Sequence, residues 1–178
     1  MRKVFLIAGL MTAFAVAVVA SSAAANFAGT WTLDKTKSQG LSQGMMNAES
    51  VVWTITQDDK TISIDSKVTG GQPPAGGGGG GGRGGGMGGP RTYNLDGKEV
   101  TTEGGGQMGG TNTTKSTWSS DGKTLELSSV RAGSFNGNDF KATSTDKLSL
   151  NGDGKVLTVA RHSESPRGTQ DSTLVFNK

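Results

Sequence analysis

Two arginines are the residues of this chain whose type and spacing most clearly suit binding chemistry. Arg131 follows Leu125 and Leu127 at even intervals in TLELSSVRA, and Arg161 follows Val159 in VLTVAR. Residues two apart on a strand face the same side, so both arginines are expected to share the side of the apolar residues. Two guanidinium groups at the mouth of an apolar interior suit a carboxylate or another oxyanion. We therefore predict Arg131 and Arg161 as ligand-binding anion anchors.

Two alternatives stand beside this prediction. Each arginine can instead extend to solvent or pair with a carboxylate, for example Asp139 or Glu164. Val130 is apolar on the opposite alternation, so a bulge there would exchange which of Val130 and Arg131 points inward.

Residues for catalysis and metal binding are scarce. His162 is the single histidine, it lies opposite Val159 in the alternation, and no Gly-x-Ser-x-Gly motif is present. The chain has no cysteine, which removes thiol chemistry, disulfides and cysteine metal sites. A zinc site built on histidine needs several such ligands. We predict no enzymatic activity, no metal site and no cofactor.

Methionines form a second pattern, because four of them fall in predicted loops: Met45, Met46, Met87 and Met108. Flexible thioethers can form a soft rim for an irregular apolar ligand. Thioethers are also ligands for Cu(I), and an accidental grouping is the remaining alternative.

Short strands must position these residues. Apolar and polar residues alternate with period two in segment after segment, which is typical of strands with one buried face. The segments include TWTLD, VVWTITQ, TISIDSKV, RTYNL, TTKSTW and TLELSSVRA. No segment after the N-terminal region has a convincing helical period, and LSQGMMNAES can form one or two helical turns at most. We predict an all-β antiparallel up-and-down meander of about eight to ten strands.

Near-copies of one turn separate these strands: QDDKT, LDGKE, SDGKT and GDGKV. Asp-Gly supplies the positive φ of tight hairpins. These turns are every second connection of a meander, so all four should lie at one end of the sheet. The other end should carry the connections predicted to be longer or looser: Thr36–Ala48, Gly70–Pro90, Gly104–Gly110, Ala132–Asn138 and Ser165–Thr169.

The stretch Gly70–Pro90 is mostly glycine and joins two strands of the same meander. It is therefore predicted to be a flexible loop of one domain and not a linker between domains, since glycine has few side-chain contacts to offset a large ordering entropy. A single Arg83 does not make a repeated Arg-Gly-Gly motif for RNA.

Closure into a barrel removes exposed strand edges. An outer-membrane barrel needs an apolar outer band, whereas the outward positions here are polar. We predict Tyr93 and Trp118 as cavity walls and Trp31 as a plug at the tight-turn end. Polar residues share the inward alternation and predict either a wet cavity or a polar network: Thr114, Ser116, Ser129, Ser144 and Asp146.

The first 25 residues have the pattern of a secretory signal peptide. Arg2 and Lys3 precede a long apolar run, after which Ala23-Ala24-Ala25 offers a small-residue cleavage site. An uncleaved anchor is the alternative, because the run is near the ~20 residues that span a bilayer. The expected mature domain is 26–178, in the periplasm or outside the cell, with no stable membrane insertion. Without Arg2 and Lys3 the 18 basic residues become 16 against 15 acidic ones, which argues against nucleic acid.

The segment NFAGTWTLDKTKS resembles the start of small secreted lipocalin-like proteins of bacteria, with Gly29-x-Trp31 matching the lipocalin Gly-x-Trp signature. TYNLDGKEV, WSSDGKTLEL and the closing LTVARHSESPRGTQDSTLVFNK are also similar to that group. The chain lacks a clear Thr-Asp-Tyr motif and a C-terminal helix. The resemblance implies a barrel with a small-molecule cavity, and it supplies no activity.

These observations together predict a monomeric, secreted lipocalin-like barrel that binds a small amphipathic or anionic ligand through its open end. The alternative is a non-catalytic structural protein of the cell envelope whose interior is filled by side chains. A binding barrel needs an internal cavity of ~300 Å³ or more, which a filled barrel lacks.

Overall fold

The protein is described here from a computed structural model that covers residues 24–70, 90–103, 110–135 and 138–178. In these ranges the chain forms ten β-strands and one short helix, α1 (Gln43–Asn47). The strands are β1 (Gly29–Leu33), β2 (Ser50–Gln57), β3 (Thr61–Thr69), β4 (Arg91–Asn94), β5 (Val100–Glu103), β6 (Thr111–Trp118), β7 (Thr124–Phe135), β8 (Asn138–Leu150), β9 (Val156–Ser165) and β10 (Gly168–Asn177).

All ten strands belong to one antiparallel sheet with the order β4-β3-β2-β1-β10-β9-β8-β7-β6-β5. The sheet curls into a nearly closed barrel, in which the first strand pairs with the last. The prediction of an all-β antiparallel barrel is therefore confirmed. The stretch LSQGMMNAES contains only the five-residue helix α1, as predicted.

Three of the four tight turns confirm the hairpin prediction, because QDDKT, SDGKT and GDGKV each join two paired strands. A hairpin at LDGKE was wrong, because the strands that this turn joins, β4 and β5, do not pair. The glycines of the three Asp-Gly turns have positive φ: 77° at Gly97, 68° at Gly122 and 69° at Gly154. Each turn aspartate accepts the backbone amide of the lysine two residues later, in the pairs Asp58–Lys60, Asp96–Lys98, Asp121–Lys123 and Asp153–Lys155. The amides of Lys60 and Thr61 hold the pKa of Asp58 below its ordinary value. We call this end of the barrel the tight-turn end and the opposite end the loop end.

Two connections at the loop end are shorter than predicted. Strand β7 extends to Phe135 and β8 begins at Asn138, and Ser165 pairs directly with Gly168 across a two-residue turn. The predicted loose connections Ala132–Asn138 and Ser165–Thr169 were therefore wrong. The polar residues of both stretches belong to strands. Pairing with the neighbouring strand stabilises the extended conformation there, although few apolar residues mark these stretches as strands.

The barrel has a seam between β4 and β5, which follow one another in the chain but do not pair. Both strands have only four residues, and β6 lies beside β4 instead. The Ser116 hydroxyl donates to the carbonyl of Asn94 at 2.5 Å, and the Thr114 hydroxyl lies 3.5 Å from the carbonyl of Thr92. Inward hydroxyls of β6 thus act as hydrogen-bond donors to backbone carbonyls of β4 at the edge where β4 has no paired strand.

The N-terminal segment before β1 covers the tight-turn end. Phe27 is fully buried and stacks on Trp118, with ring centroids 6.0 Å apart. The Gln57 side chain accepts the amide of Phe27 at 2.9 Å and donates to the carbonyl of Ala25 at 3.0 Å. Ala25 in turn donates to the carbonyl of Gly122 in a tight turn at 2.9 Å. This segment is therefore part of the core.

Trp31 lies directly above this segment and is also fully buried. Its indole Nε1 donates to the carbonyl of Phe27 at 2.8 Å, and Lys178 Nζ lies 5.1 Å from its ring centroid. Trp31 and Phe27 together fill the tight-turn end.

Several sequence predictions concern residues outside the described ranges. These are the greater part of the signal peptide predicted at 1–25, nearly all of the glycine-rich loop predicted at 70–90, most of the Gly104–Gly110 connection, and Met87 and Met108. Within the described ranges no helix has the length and apolar character needed to cross a membrane.

Candidate functional site

The inward face of the barrel changes from apolar to polar along the strands. Cross-strand pairing arranges the inward residues of β6–β10 in rows. The lowest row that crosses all five strands, counted from the tight turns, contains Trp118, Leu125, Leu148, Val159 and Leu174. The next row contains Ser116, Leu127, Asp146, Arg161 and Ser172, and the one above it contains Thr114, Ser129, Ser144, Ser163 and Gln170. The loop half of the barrel is therefore lined by hydroxyls and the tight-turn half by large apolar groups.

Arg161 forms a buried ion pair with Asp146, its partner across β8 and β9. The guanidinium Nε donates to Oδ1 at 2.6 Å and Nη2 donates to Oδ2 at 2.7 Å, which is a bidentate geometry. The side chains of Arg161 and Asp146 are only 19% and 7% exposed. Burial lowers the pKa of Arg161, but the hydrogen bonds and charge of Asp146 outweigh it and raise the pKa overall. Arg161 points inward as predicted, with a carboxylate partner other than Asp139 or Glu164.

Two aromatic residues complete the surroundings of this pair. The guanidinium carbon of Arg161 lies 5.5 Å from the ring centroid of Trp53, a cation–π geometry. Tyr93 is buried and close enough to sense the charges of Asp146 and Arg161. Burial raises the pKa of the Tyr93 hydroxyl above its ordinary value, while the charge and hydrogen bond of Arg91 oppose part of that shift.

Arg131 lies nearer the loop end of the barrel than Arg161. The pairing of β7 with β8 is continuous, so no bulge exchanges Val130 and Arg131, and the Arg131 guanidinium carbon lies 5.6 Å from the ring centroid of Phe140. On β8, Arg131 pairs with Ala142 and Arg161 pairs with Asp146. Four residues of strand separate these levels, a distance of ~13 Å. The two arginines therefore do not form one pair.

Trp118 lies near the end opposite to Arg131, because it stacks on Phe27 beside the tight turns. Of the four residues predicted to bind ligand, the structure brings Tyr93 and Arg161 together. The structure places Arg131 nearer the loop end than these two residues, and it places Trp118 in the apolar, tight-turn half.

Arg91 is a residue that sequence reasoning missed. It precedes the buried Tyr93 by two positions on β4, and the two side chains are hydrogen-bonded. The alternation in RTYNL already contained this signal, since residues two apart on a strand share a face.

His162 lies on the outer face, as its alternation predicted. Its Nδ1 lies 2.6 Å from Asp171 Oδ1 on β10, and its Nε2 lies 3.4 Å from Glu164 Oε1. These two carboxylates raise the pKa of His162 above 6.5, with Asp171 the larger influence. In the described residues no cluster of three or more histidine, aspartate or glutamate side chains could hold a metal ion.

We expect the pKa of His162 to fall towards 6.5 in an Asp171→Asn variant, which keeps the shape and removes the charge. The single histidine makes an NMR titration of its ring protons unambiguous. A raised folded pKa stabilises the protein at low pH and loses that effect as pH rises through the folded value. The thermal midpoint of the wild type should therefore be higher than that of Asp171→Asn below pH ~6.5, and the two midpoints should become equal at higher pH. Equal titration curves would contradict the assignment.

The two methionines of the described residues lie in α1, not in a loop as predicted, and they behave differently. Met45 packs against the hydrophobic core, whereas Met46 is 53% exposed. Only Met45 is thus placed among the apolar side chains of the interior.

Searches with family models, among curated proteins and among solved structures gave no match to this chain.

Proposed function

We propose that this protein is a secreted, non-enzymatic carrier of the lipocalin-like kind that binds a small amphipathic or anionic ligand in the loop half of its barrel. One observation supports the binding role above all: the inward face is graded, with large apolar side chains at one end and short hydroxyls with arginines at the other. An amphipathic molecule has the same gradient. Secretion rests on the pattern of the first 25 residues.

The small size of the inward side chains in the loop half supports this location of the binding site. Ser129, Ser144 and Ser163 are adjacent inward residues on three strands, and each is half-buried. At the level of Leu148 the same strands carry leucine and valine, which fill the interior. A ligand chain would enter where the protein's own side chains are shortest.

The first test is native mass spectrometry of protein purified from its own host, followed by titration with single-chain lipids and small organic acids. Tryptophan fluorescence of a Trp31→Phe/Trp118→Phe variant, in which Trp53 is the remaining tryptophan, supplies a second readout, because a ligand that moves Arg161 changes the charge near the Trp53 ring. A discrete added mass or saturable binding supports the carrier. Protein that carries no added mass and fails to titrate contradicts it.

A matched pair of variants locates the site. Ser144→Leu adds bulk to the inward face at the middle of the serine row, whereas Thr143→Leu places a leucine on the outer face of the same strand. We expect Ser144→Leu to weaken binding about tenfold or more and Thr143→Leu to leave it unchanged. Equal affinities for the two variants would exclude the loop half as the binding site.

The second candidate is a structural barrel of the cell envelope with a filled interior. The specific observation in its favour is that Arg161, one of the predicted anion anchors, already binds both carboxylate oxygens of Asp146. This candidate predicts a clean unliganded mass and no saturable binding to any member of the ligand panel.

A further inference from the structure

The buried ion pair of Arg161 lies at the boundary between the apolar half of the barrel and the half lined by hydroxyls. The Arg161 side chain keeps 19% of its surface exposed. On the tight-turn side of the pair, Leu148 and Val159 are fully buried. The aromatic neighbours Trp53 and Tyr93 are each only 3% exposed. The exposed part of Arg161 therefore faces the loop half.

The ion pair retains both hydrogen-bond donors and acceptors. Arg161 donates from Nε and Nη2 to Asp146, and its other N–H groups have no hydrogen-bond partner within the described ranges. The two carboxylate oxygens of Asp146 have about four acceptor positions, of which these two bonds fill half. A hydroxyl group both donates and accepts. The pair therefore matches the hydrogen-bonding needs of hydroxyls.

The charge of the ion pair argues against an anion at this position. Arg161 Nε and Asp146 Oδ1 lie 2.6 Å apart, and their opposite charges cancel. A second anion beside Asp146 would be repelled by its carboxylate. An anion that displaced Asp146 from Arg161 would leave a buried carboxylate without its partner. An uncharged group meets neither cost.

Two serines lie on the loop side of the ion pair. Ser144 is two residues from Asp146 on β8, Ser163 is two residues from Arg161 on β9, and the two serines pair with each other. Two residues of strand span ~7 Å, and the Cβ atoms of directly opposite residues are ~5 Å apart. The Ser163 hydroxyl donates to the carbonyl of Gln170 at 3.3 Å and can still accept. Two pairs of polar side chains thus lie on one inward surface, within reach of one small head group.

We propose that Asp146, Arg161, Ser144 and Ser163 form a binding site for an uncharged head group with at least two neighbouring hydroxyls, of the glycerol or sugar type. This inference rests on the proposed carrier function and specifies the polar part of its ligand. One hydroxyl accepts from Arg161 and donates to Asp146, while another bonds to the serine hydroxyls.

The experiment compares 1-octanoylglycerol, octyl glucoside, octanoate and 1-octanol by calorimetry, each below the concentration at which it forms micelles. We expect at least one of the two hydroxyl-rich heads to bind about tenfold or more tightly than octanoate and octanol, because a site that hydrogen-bonds hydroxyls rejects analogues that lack them. Octanoate or octanol binding as tightly as the better of these two would overturn the hydroxyl site and leave a carrier. No binding of any of the four probes would contradict both proposals.

An Asp146→Asn variant is expected to reverse the preference among these probes. It keeps the shape of the side chain and leaves Arg161 without its anionic partner. The affinity for octanoate should therefore rise about tenfold or more, while the affinity for the hydroxyl-rich probe falls. Circular dichroism confirms folding, and an unchanged ratio of the two affinities in a folded variant would overturn the site.

Serine variants test the site without removing either charge. Ser144→Ala and Ser163→Ala each remove one hydroxyl and should weaken the hydroxyl-rich probe about fivefold, which is the effect of losing one hydrogen bond. The control Thr143→Val removes a hydroxyl from the outer face of β8 and should leave the affinity unchanged. If the serine variants bound this probe as tightly as Thr143→Val, the site would be excluded, whether or not Asp146→Asn folds.

Discussion

Replacing Asp146 with alanine is expected to destabilise the protein by about 3–5 kcal/mol, because it leaves a buried arginine charge without its partner. Arg161 is 19% exposed and receives its two strongest contacts from Asp146 at 2.6 and 2.7 Å. An arginine cannot lose its proton in a protein, so the charge persists in the variant. Urea unfolding followed by circular dichroism measures the loss.

A double variant separates the effect of the unpaired charge from the effect of lost side-chain packing. Asp146→Leu combined with Arg161→Met replaces the ion pair with apolar groups, and such replacements are often neutral or stabilising. We expect it to recover most of the stability lost in Asp146→Ala. A loss below about 1 kcal/mol in Asp146→Ala would mean that Arg161 reaches water readily, as surface pairs do.

Replacing Trp31 with alanine should also cost about 3–5 kcal/mol, as large-to-small changes of buried aromatic residues do. Trp31 is fully buried, donates to the carbonyl of Phe27 at 2.8 Å and lies beneath Lys178. The loss of this side chain opens a cavity and detaches the segment that covers the tight-turn end. For a domain of this size the thermal midpoint should fall by on the order of 6–20 °C.

Two controls accompany this variant. Trp31→Phe keeps an aromatic ring but removes the indole donor, so it isolates the hydrogen bond to Phe27 and should cost less. Met46→Ala removes a large side chain that is 53% exposed and should change the midpoint little. If Trp31→Ala behaved like Met46→Ala, Trp31 would not hold the tight-turn end.

Local patterns were sufficient to predict the strands and the tight turns. Alternation of apolar residues sets which face of a strand is buried, and Asp-Gly pairs supply the positive φ seen at Gly97, Gly122 and Gly154. The same alternation placed Arg161 and Arg131 on the inward face. These properties depend on neighbours within a few residues, which is why a sequence alone is enough for them.

The partners of the inward polar groups could not be predicted, because they depend on register between strands. The sequence offered Asp139 and Glu164 as partners for the arginines, while the pairing of β8 with β9 brings Asp146 to Arg161. A shift of the pairing would bring a different residue to the same arginine.

The sequence by itself therefore determined that this protein is an antiparallel barrel with tight turns at one end and arginines on its inward face. Only the tertiary structure decided that Arg161 is neutralised by Asp146 and that Ser116 and Thr114 close the seam beside β4. Alternation is a property of one strand, whereas charge compensation and seam closure require strands distant in sequence to meet at a particular register.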